Sequence, residues 1–179
     1  MIIVVKGTPD SGKSALAEKL CCELAGPMKK YYIATMVPYG EEGLERVGKH
    51  RKMREGKGFE TIEKPDSLDN MDDVFFKDEC TCLLECVSNL VGNEMYAEKN
   101  RLLNDSEIVS LIVNSIKNLG KKAANLVIVT NEFPKEMDGY DDDTRRYVHI
   151  TDIVNDALKK YGDTVYEYRE GEWVKYDNY

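Results

Sequence analysis

The sequence predicts an α/β fold: a mostly parallel β-sheet flanked by helices, with antiparallel strands at its C-terminal end. Three observations lead to this prediction. Apolar runs typical of buried strands alternate with amphipathic segments along the chain. A glycine-rich loop joins the first apolar run to the first amphipathic segment. Two strand-like runs follow one another directly near the end of the chain. Because there is no internal repeat or linker, we expect residues 1–179 to form a single domain.

The glycine-rich loop has the spacing G-x-x-x-x-G-K-S of a phosphate-binding loop. It consists of Gly7, Thr8, Pro9, Asp10, Ser11, Gly12, Lys13 and Ser14. A buried-looking strand precedes it and a helical pattern follows it, which is the context that this motif requires. Its glycines let the backbone approach phosphate oxygens closely, and the helix N-terminus attracts negative charge. We therefore predict a P-loop NTPase-type (RecA-like) domain in which Lys13 reaches the β- and γ-phosphates and Ser14 binds Mg²⁺.

The first half of the chain alternates strands with helices. Strands are predicted over residues 1–5, 30–35 and 59–63, and helices over residues 14–25 and 41–57. Leu16, Leu20 and Leu24 recur at helical spacing in the first of these helices, and Gly26 ends it. The second helix is dense in charge and has only a thin apolar stripe, so we expect it to make little contact with the core.

The second half repeats this alternation and then ends in a hairpin. Strands are predicted over residues 80–86, 125–130, 164–169 and 172–176, with a helix over residues 87–97. Asn104 and Glu107 form a capping-box sequence that opens a further helix, which we expect Gly120 to end. Asp143 is expected to cap the last helix. The Glu-Gly pair at residues 170–171 is typical of a hairpin turn between the last two strands.

Composition narrows the classes of protein to which the chain can belong. Its 32% charged and 42% hydrophobic residues are ordinary for a globular protein. A net charge of −8 argues against a nucleic-acid binder that relies on a broad basic surface. No apolar run approaches the roughly 20 residues that span a membrane, and no signal peptide is evident, so a cytoplasmic location is the default expectation. The five cysteines favour buried, reduced thiols over a zinc site.

Polar residues at strand ends are candidates for the site, because open α/β sheets bind ligands at the carboxyl ends of their strands. Thr35, Glu85 and Glu132 follow or end apolar strands. Glu85 has the position of the Mg²⁺-associated acid of phosphate-loop enzymes, where it can hold a metal-bound water or polarise an acceptor hydroxyl. A carboxylate that only caps a helix is the alternative, and the same two interpretations are open for Glu132.

His50 lies among the positive charges of the second helix. A neutral imidazole is a competent nucleophile toward a nucleotide's α-phosphorus, and neighbouring cations would stabilise the charge that develops. Arg54 is a better partner on the same helix face than the adjacent Arg51. Taken alone, a surface histidine is more often inert, so both interpretations stay open. His149 has apolar neighbours on its helix and is interpreted as non-catalytic.

Several further stretches follow the phosphate loop in a specific order. They are Tyr32-Ile33-Ala34-Thr35, Arg46-Val47-x-x-His50-Arg51-x-x-Arg54, Thr61-x-Glu63, Leu83-Leu84-Glu85-Cys86 with Ser88-Asn89-Leu90, and Val129-Thr130-Asn131-Glu132. In this order the chain resembles the bifunctional adenosylcobinamide kinase/adenosylcobinamide-phosphate guanylyltransferase family of cobalamin synthesis. The resemblance covers nearly the whole chain, and the first two of these stretches are its specific part.

The resemblance implies two activities. In the first, ATP or GTP phosphorylates the hydroxyl of the aminopropanol arm of adenosylcobinamide. In the second, GTP donates GMP to His50, which passes it to the phosphorylated corrinoid. Lys13, His50 and Glu85 are then the catalytic residues, with Mg²⁺ held by Ser14 and Glu85. Further nucleotide contacts are expected from Thr35, Arg51, Arg54, Glu63 and Glu132. The resemblance also suggests a homotrimer.

The chain departs from the family pattern after Glu132. A glycine-rich stretch of the family is replaced here by an acidic loop over residues 133–142, and Phe59 stands where the family usually has tryptophan. Because that loop lies at the strand-end site, two alternatives stay open. One is a divergent small-molecule kinase that lacks guanylyltransferase activity. The other is a nucleotide-binding regulatory protein that uses the acidic loop as a partner surface.

Overall fold

A computed structural model of the chain describes residues 1–134, 136 and 138–178; Lys135 and Met137 of the predicted acidic loop lie outside this set. The strands are β1 (Ile2–Gly7), β2 (Lys29–Ala34), β3 (Phe59–Glu63), β4 (Cys80–Glu85), β5 (Asn125–Asn131), β6 (Thr164–Arg169) and β7 (Glu172–Asp177). The helices are α1 (Lys13–Ala25), α2 (Gly40–Arg54), α3 (Val87–Tyr96), α4 (Asp105–Lys122) and α5 (Asp142–Tyr161). Single 3₁₀ turns cover Leu68–Asn70, Asp73–Phe76 and Glu98–Asn100.

The seven strands form one sheet in the order β3-β2-β4-β5-β1-β6-β7. All neighbouring strands are parallel except β6 and β7, which pair antiparallel. This confirms the predicted mostly parallel sheet with an antiparallel C-terminal end. Strand β5 separates β1, which leads into the phosphate loop, from β4, which ends at Glu85. The carboxyl ends of the parallel strands therefore bring the loop and Glu85 to the same edge.

Helices cover both faces of the sheet. On one face Val5 and Leu83 cluster with Ala17 and Cys21 of α1. On the other face α3, α4 and α5 supply a larger apolar cluster. Among the described residues, no side chain of α2 belongs to either cluster, as its charged sequence predicted. Helix α2 therefore lies at the edge of the domain, outside both apolar clusters.

Three predicted helix boundaries are wrong. Helix α2 ends at Arg54 and does not reach residue 57. Asp141, not Asp143, caps α5: it has an extended backbone conformation, and its side chain accepts a 2.7 Å hydrogen bond from the Thr144 N–H. Asp143 lies in the first turn, where its charge favours the helix N-terminus. Gly120 does not end α4, which continues to Lys122. A Cβ at Gly120 would lie 2.5 Å from the Tyr161 hydroxyl and 2.9 Å from Ile2 Cδ1, so these two side chains pack closely against the glycine.

Two predicted turns and caps are confirmed. Asn104 and Glu107 form both hydrogen bonds of the capping box that opens α4. Glu170 and Gly171 have φ values of 49° and 90°, which suit a two-residue hairpin between β6 and β7. Among the described residues, no helix is both long enough and apolar enough to cross a membrane.

Candidate active site

The phosphate loop is shaped by its two glycines. Gly12 has φ 78°, in the left-handed region that favours glycine. A Cβ at Gly7 would lie 2.5 Å from Ser11 Oγ and 3.1 Å from the Trp173 ring. Ser11 in turn donates from its hydroxyl to the Thr8 carbonyl at 2.7 Å. These contacts close the turn between β1 and α1 and bring the loop to the N-terminus of α1, where backbone N–H groups favour anions.

Lys13 is held inside this turn. Its side chain is largely buried, with 8% of the residue exposed. Its Nζ donates to the carbonyls of Thr8 at 3.2 Å and Pro9 at 3.4 Å. Burial lowers the pKa of Lys13, while the neighbouring Cys86 and Glu85 oppose that shift. The loop carbonyls therefore position the Lys13 ammonium within reach of anions that bind to the loop.

Ser14, Glu85 and His50 form a contact chain across the site. The Ser14 hydroxyl donates to Glu85 Oε1, and His50 Nδ1 lies 3.5 Å from the same oxygen. His50 Nδ1 and Glu85 Oε2 are buried and accept or donate no hydrogen bond among the described residues. Buried polar atoms without partners are uncommon and call for an explanation, such as a bound ion. A hydroxyl and a carboxylate with a free oxygen are ligands that suit Mg²⁺.

Arg54 fixes the helix that carries His50. Its guanidinium carbon lies 3.3 Å from the centre of the Tyr32 ring, and the residue is only 7% exposed. Arg54 also donates to the His50 carbonyl at 3.0 Å and to Thr61 Oγ1 at 3.3 Å. Burial, followed by the neighbouring Glu85 carboxylate, raises the pKa of the Tyr32 hydroxyl. Since Arg54 and Gly43 are the buried residues of α2, this stack is the principal attachment of the helix.

A cleft of about 1030 Å³ unites these groups. It is lined by the phosphate loop, by α2 and by the strand ends that carry Glu85 and Glu63. Arg51 also lines it and pairs with Glu63 at 3.1 Å, although both side chains are exposed. On the opposite side, Phe133 and Tyr147 form a wall in which their rings meet edge to face at 5.4 Å. Burial raises the pKa of Tyr147 to about 12, so its hydroxyl stays protonated.

Two residues predicted for the site are placed elsewhere. Thr35 is fully buried, and its hydroxyl donates to the Cys86 carbonyl at 2.8 Å while accepting from the Cys86 N–H at 2.7 Å. It thus joins the ends of β2 and β4. Glu132 lies outside the cleft lining and pairs with Lys6 at 3.1 Å. This geometry gives no support to direct nucleotide contacts from Thr35 or Glu132, although it brings the other predicted residues together.

Two buried carboxylates outside the lining of the cleft were not identified from the sequence. Glu18 on α1 is fully buried and pairs at 2.6 Å with Lys57, which follows α2. Glu167 on β6 is 2% exposed and receives Lys159 at 2.6 Å and Arg169 at 2.5 Å. Glu18 recurs at helical spacing among the buried residues of α1, which is the one signal that could have identified it.

Comparison with known sequences identifies a family. A family model described as cobinamide kinase / cobinamide phosphate guanyltransferase matches residues 3–175. The bifunctional adenosylcobalamin biosynthesis protein CobU of Escherichia coli (strain K12) is 28% identical over 186 residues. That alignment covers 98% of this chain and 99% of the Escherichia coli protein. The match therefore extends over all the elements that build the cleft.

Three solved structures share the fold of this chain at low sequence identity. The ATPase domain of G40P has a TM-score of 0.52 at 9% identity, covering 94% of this chain and 69% of that one. A DnaB-like replicative helicase has a TM-score of 0.55 at 10% identity, covering 94% and 47%. An ATPase of a type III secretion system has a TM-score of 0.55 at 11% identity, covering 94% and 51%. At these identities the likeness concerns the fold alone, and it agrees with the predicted P-loop NTPase type.

The family match adds enzymatic function to that fold. Its description names both a kinase and a guanyltransferase of cobinamide, and the name of the Escherichia coli relative refers to adenosylcobalamin biosynthesis. The phosphate loop, Glu85 and His50 lie in the matched region and line one cleft. The chain therefore belongs to the cobinamide kinase / cobinamide phosphate guanyltransferase family of cobalamin biosynthesis enzymes.

Proposed function

We propose that this chain phosphorylates adenosylcobinamide with ATP or GTP and then transfers GMP from GTP to the new phosphate, giving adenosylcobinamide-GDP. In this proposal His50 carries the guanylyl group between the two substrates. One observation supports it above all: His50 lies 3.5 Å from Glu85, which accepts a hydrogen bond from Ser14 of the phosphate loop. A potential nucleophile and a phosphate-binding loop therefore share one cleft.

The kinase step uses the loop side of the cleft. Lys13 would neutralise charge on the β- and γ-phosphates, and the loop's N–H groups would hold them in place. Ser14 and Glu85 would hold Mg²⁺, which supplies further neutralisation of the phosphate oxygens when bound. Glu85 would also accept the proton of the acceptor hydroxyl, whose oxygen attacks the γ-phosphorus as the nucleoside diphosphate leaves.

The transferase step uses the α2 side. Since Nδ1 of His50 faces Glu85, Nε2 is the nitrogen left to attack. A proton on Nδ1, on the side that faces Glu85, would leave the Nε2 lone pair free for the α-phosphorus of GTP. The new P–N bond forms as the bond to pyrophosphate breaks. An oxygen of the cobinamide phosphate then attacks the same phosphorus, and the P–N bond breaks to release free His50.

The chain offers a matched test, because it contains only two histidines. Wild-type protein incubated with Mg²⁺ and GTP labelled at the α-phosphorus should form an acid-labile, base-stable adduct, which a chase with cobinamide phosphate removes. His50→Ala should form none. His149→Ala should label like wild type, because His149 is exposed on α5. A wild type that forms no adduct would contradict the transferase step and favour the alternative of a kinase alone.

We further propose a cytoplasmic location and a homotrimer. The cytoplasmic location is proposed because both steps consume nucleoside triphosphates, which the cytoplasm contains. The homotrimer is proposed from the family resemblance. Light scattering coupled to size-exclusion chromatography should give three times the 20.4 kDa chain mass, and a mass of one chain would contradict the trimer.

A further inference from the structure

A second cavity of about 310 Å³ adjoins the nucleotide cleft. Its lining comes from α3, from the start of α5 and from the segment after β2. It shares Asn89 and Tyr147 with the cleft, so the two spaces are neighbours. Asn89 lies in the first turn of α3, which begins directly after the β4 strand that ends at Glu85. A molecule in the second cavity would therefore lie next to the reacting groups.

The lining of this cavity is neutral. None of the described side chains that line it carries a charge, in contrast to the cleft with Lys13, Arg51 and Arg54. Nucleotide phosphates are recognised by cations and N–H groups, so this cavity is a poor site for them. Its rim includes Val37 and Tyr96, which are 59% and 63% exposed. An apolar rim around a neutral interior favours an uncharged organic molecule.

Two carboxamides give the cavity its hydrogen-bonding capacity. The Asn93 amide nitrogen donates to the carbonyls of Thr35 and Pro65, both at 2.8 Å, which fixes the side chain. Its amide oxygen accepts no hydrogen bond from the described residues. The Asn89 side chain makes no hydrogen bond within the same part of the chain. The Asn93 oxygen can therefore accept from a carboxamide of a ligand, and the Asn89 amide can both donate to and accept from one.

Hydrogen bonds and ring packing hold the Tyr147 side of the cavity in place. The Tyr147 hydroxyl donates to the Ser88 carbonyl at 3.0 Å, and its ring packs against Phe133. Asn131 donates to the Ser88 hydroxyl at 2.6 Å, so the first turn of α3 is held from two sides. A preformed neutral cavity loses little conformational entropy when a ligand enters it.

We propose that this second cavity, the acceptor pocket, binds the carboxamide-bearing part of the acceptor while its hydroxyl arm extends into the cleft. Asn89, at the junction, pairs with the amide that links the arm to the rest of the acceptor, and Asn93 accepts from a neighbouring carboxamide. The assignment rests on the proposed function, because cobinamide is the acceptor that carries such uncharged amides. Asn89 is thus a specificity-determining residue for the acceptor.

Gly92 provides the sharpest test. It lines the acceptor pocket, and a Cβ there would lie 3.6 Å from the Tyr147 ring, an ordinary van der Waals distance. Glycine is also a poor helix former, so larger residues at this position favour the helix. In the series Gly92→Ala and Gly92→Leu, the KM for cobinamide should rise with side-chain size, by about tenfold or more for leucine. The KM for ATP should stay within about twofold throughout, because only the acceptor side is filled.

Two further variants complete the experiment. Ser110→Leu adds the same side chain at an exposed position of α4 and should leave both KM values unchanged. Asn89→Ala should raise the KM for cobinamide by about five- to tenfold, as expected for the loss of one neutral hydrogen bond, with the KM for ATP unaffected. This variant keeps the assignment testable if Gly92→Leu does not fold, which circular dichroism would reveal.

The experiments distinguish an error in the acceptor pocket from an error in the proposed function. If wild type phosphorylates cobinamide but the Gly92 series leaves its KM unchanged, or raises the KM for ATP equally, the acceptor pocket is overturned alone. If wild type binds ATP in calorimetry yet neither binds nor phosphorylates cobinamide, the proposed function is overturned and the acceptor pocket with it.

Discussion

Arg54→Ala should loosen helix α2 without unfolding the domain. The guanidinium of Arg54 stacks on Tyr32 at 3.3 Å and donates hydrogen bonds to the His50 carbonyl and to Thr61. Helix α2 contributes nothing to the two core clusters among the described residues, so few other contacts oppose its release. The variant should therefore act on a local opening equilibrium more than on global stability.

The magnitude follows from the contacts that are lost. A desolvated cation–π pair contributes about 2 kcal/mol. Hydrogen bonds from a charged donor contribute about 1.5–3 kcal/mol each, and such neighbouring terms add incompletely. We take about 3 kcal/mol in total for Arg54, which corresponds to a rise of about 100-fold in the opening of α2.

Native-state hydrogen exchange measures this opening directly. Amides of α2 should exchange about 100-fold faster in Arg54→Ala, while amides of the central strands keep their wild-type protection. Arg51→Ala is the matched control on the same helix: its pair with Glu63 is 62% and 72% exposed, and such pairs contribute less than about 1 kcal/mol. Equal protection of α2 in wild type and Arg54→Ala would refute the argument that this stack holds the helix.

Three further predictions concern other buried charges. Lys13→Ala should lower kcat/KM for phosphoryl transfer by about 100-fold or more while the circular dichroism spectrum stays unchanged, because a preorganised cation at the phosphates is lost; a smaller loss would argue against Lys13 at the phosphates. Lys57→Met should lower the free energy of unfolding in urea by about 2 kcal/mol, because it leaves the Glu18 carboxylate buried without its partner. The loss is smaller than for a fully buried pair because Lys57 is 42% exposed, and adding Glu18→Leu should restore part of the lost stability. No change in stability would contradict the pairing. Burial raises the pKa of Glu167, but hydrogen bonds from Lys159 and Arg169, together with the charge of Lys6, outweigh burial and hold that pKa below its ordinary 4.5. Its charged form therefore stabilises the fold above pH 4.5, and this stability is lost as the pH falls through the lowered pKa. Thermal unfolding between about pH 6 and pH 3 should show a shallower decline for Glu167→Gln.

Local patterns predicted most of the fold. The phosphate loop, the strands and the capping box of α4 each depend on residues close together in the chain, so spacing alone identifies them. The errors arose where tertiary packing overrides a local signal. Gly120 resembles a helix stop, yet α4 continues past it, and the side chains of Ile2 and Tyr161 pack closely against α4 at that point. Asp141 and Asp143 are equally good caps by composition, and only the backbone conformation distinguishes them.

The contacts within the candidate site could not be predicted from the sequence. The sequence predicted catalytic roles for both Glu85 and His50, but it did not predict that they approach to 3.5 Å. That distance depends on how α2 lies beside the end of β4. The stack of Arg54 on Tyr32 likewise joins a helix to a strand and has no signature in spacing. Glu132 follows the end of a strand, as a site residue would, but its carboxylate forms an ion pair with Lys6 on the neighbouring β1 strand. Such pairings follow from strand order, which a single sequence does not specify.

Locating the guanylyl group on the protein tests the proposed function most directly. Intact mass spectrometry after incubation with GTP and Mg²⁺ should show the added mass of one GMP per chain, and peptide mapping should place it on the peptide that contains His50. The added mass should disappear when cobinamide phosphate is supplied. No added mass, or GMP on a peptide that lacks His50, would contradict the claim that one cleft holds both the triphosphate and its acceptor histidine.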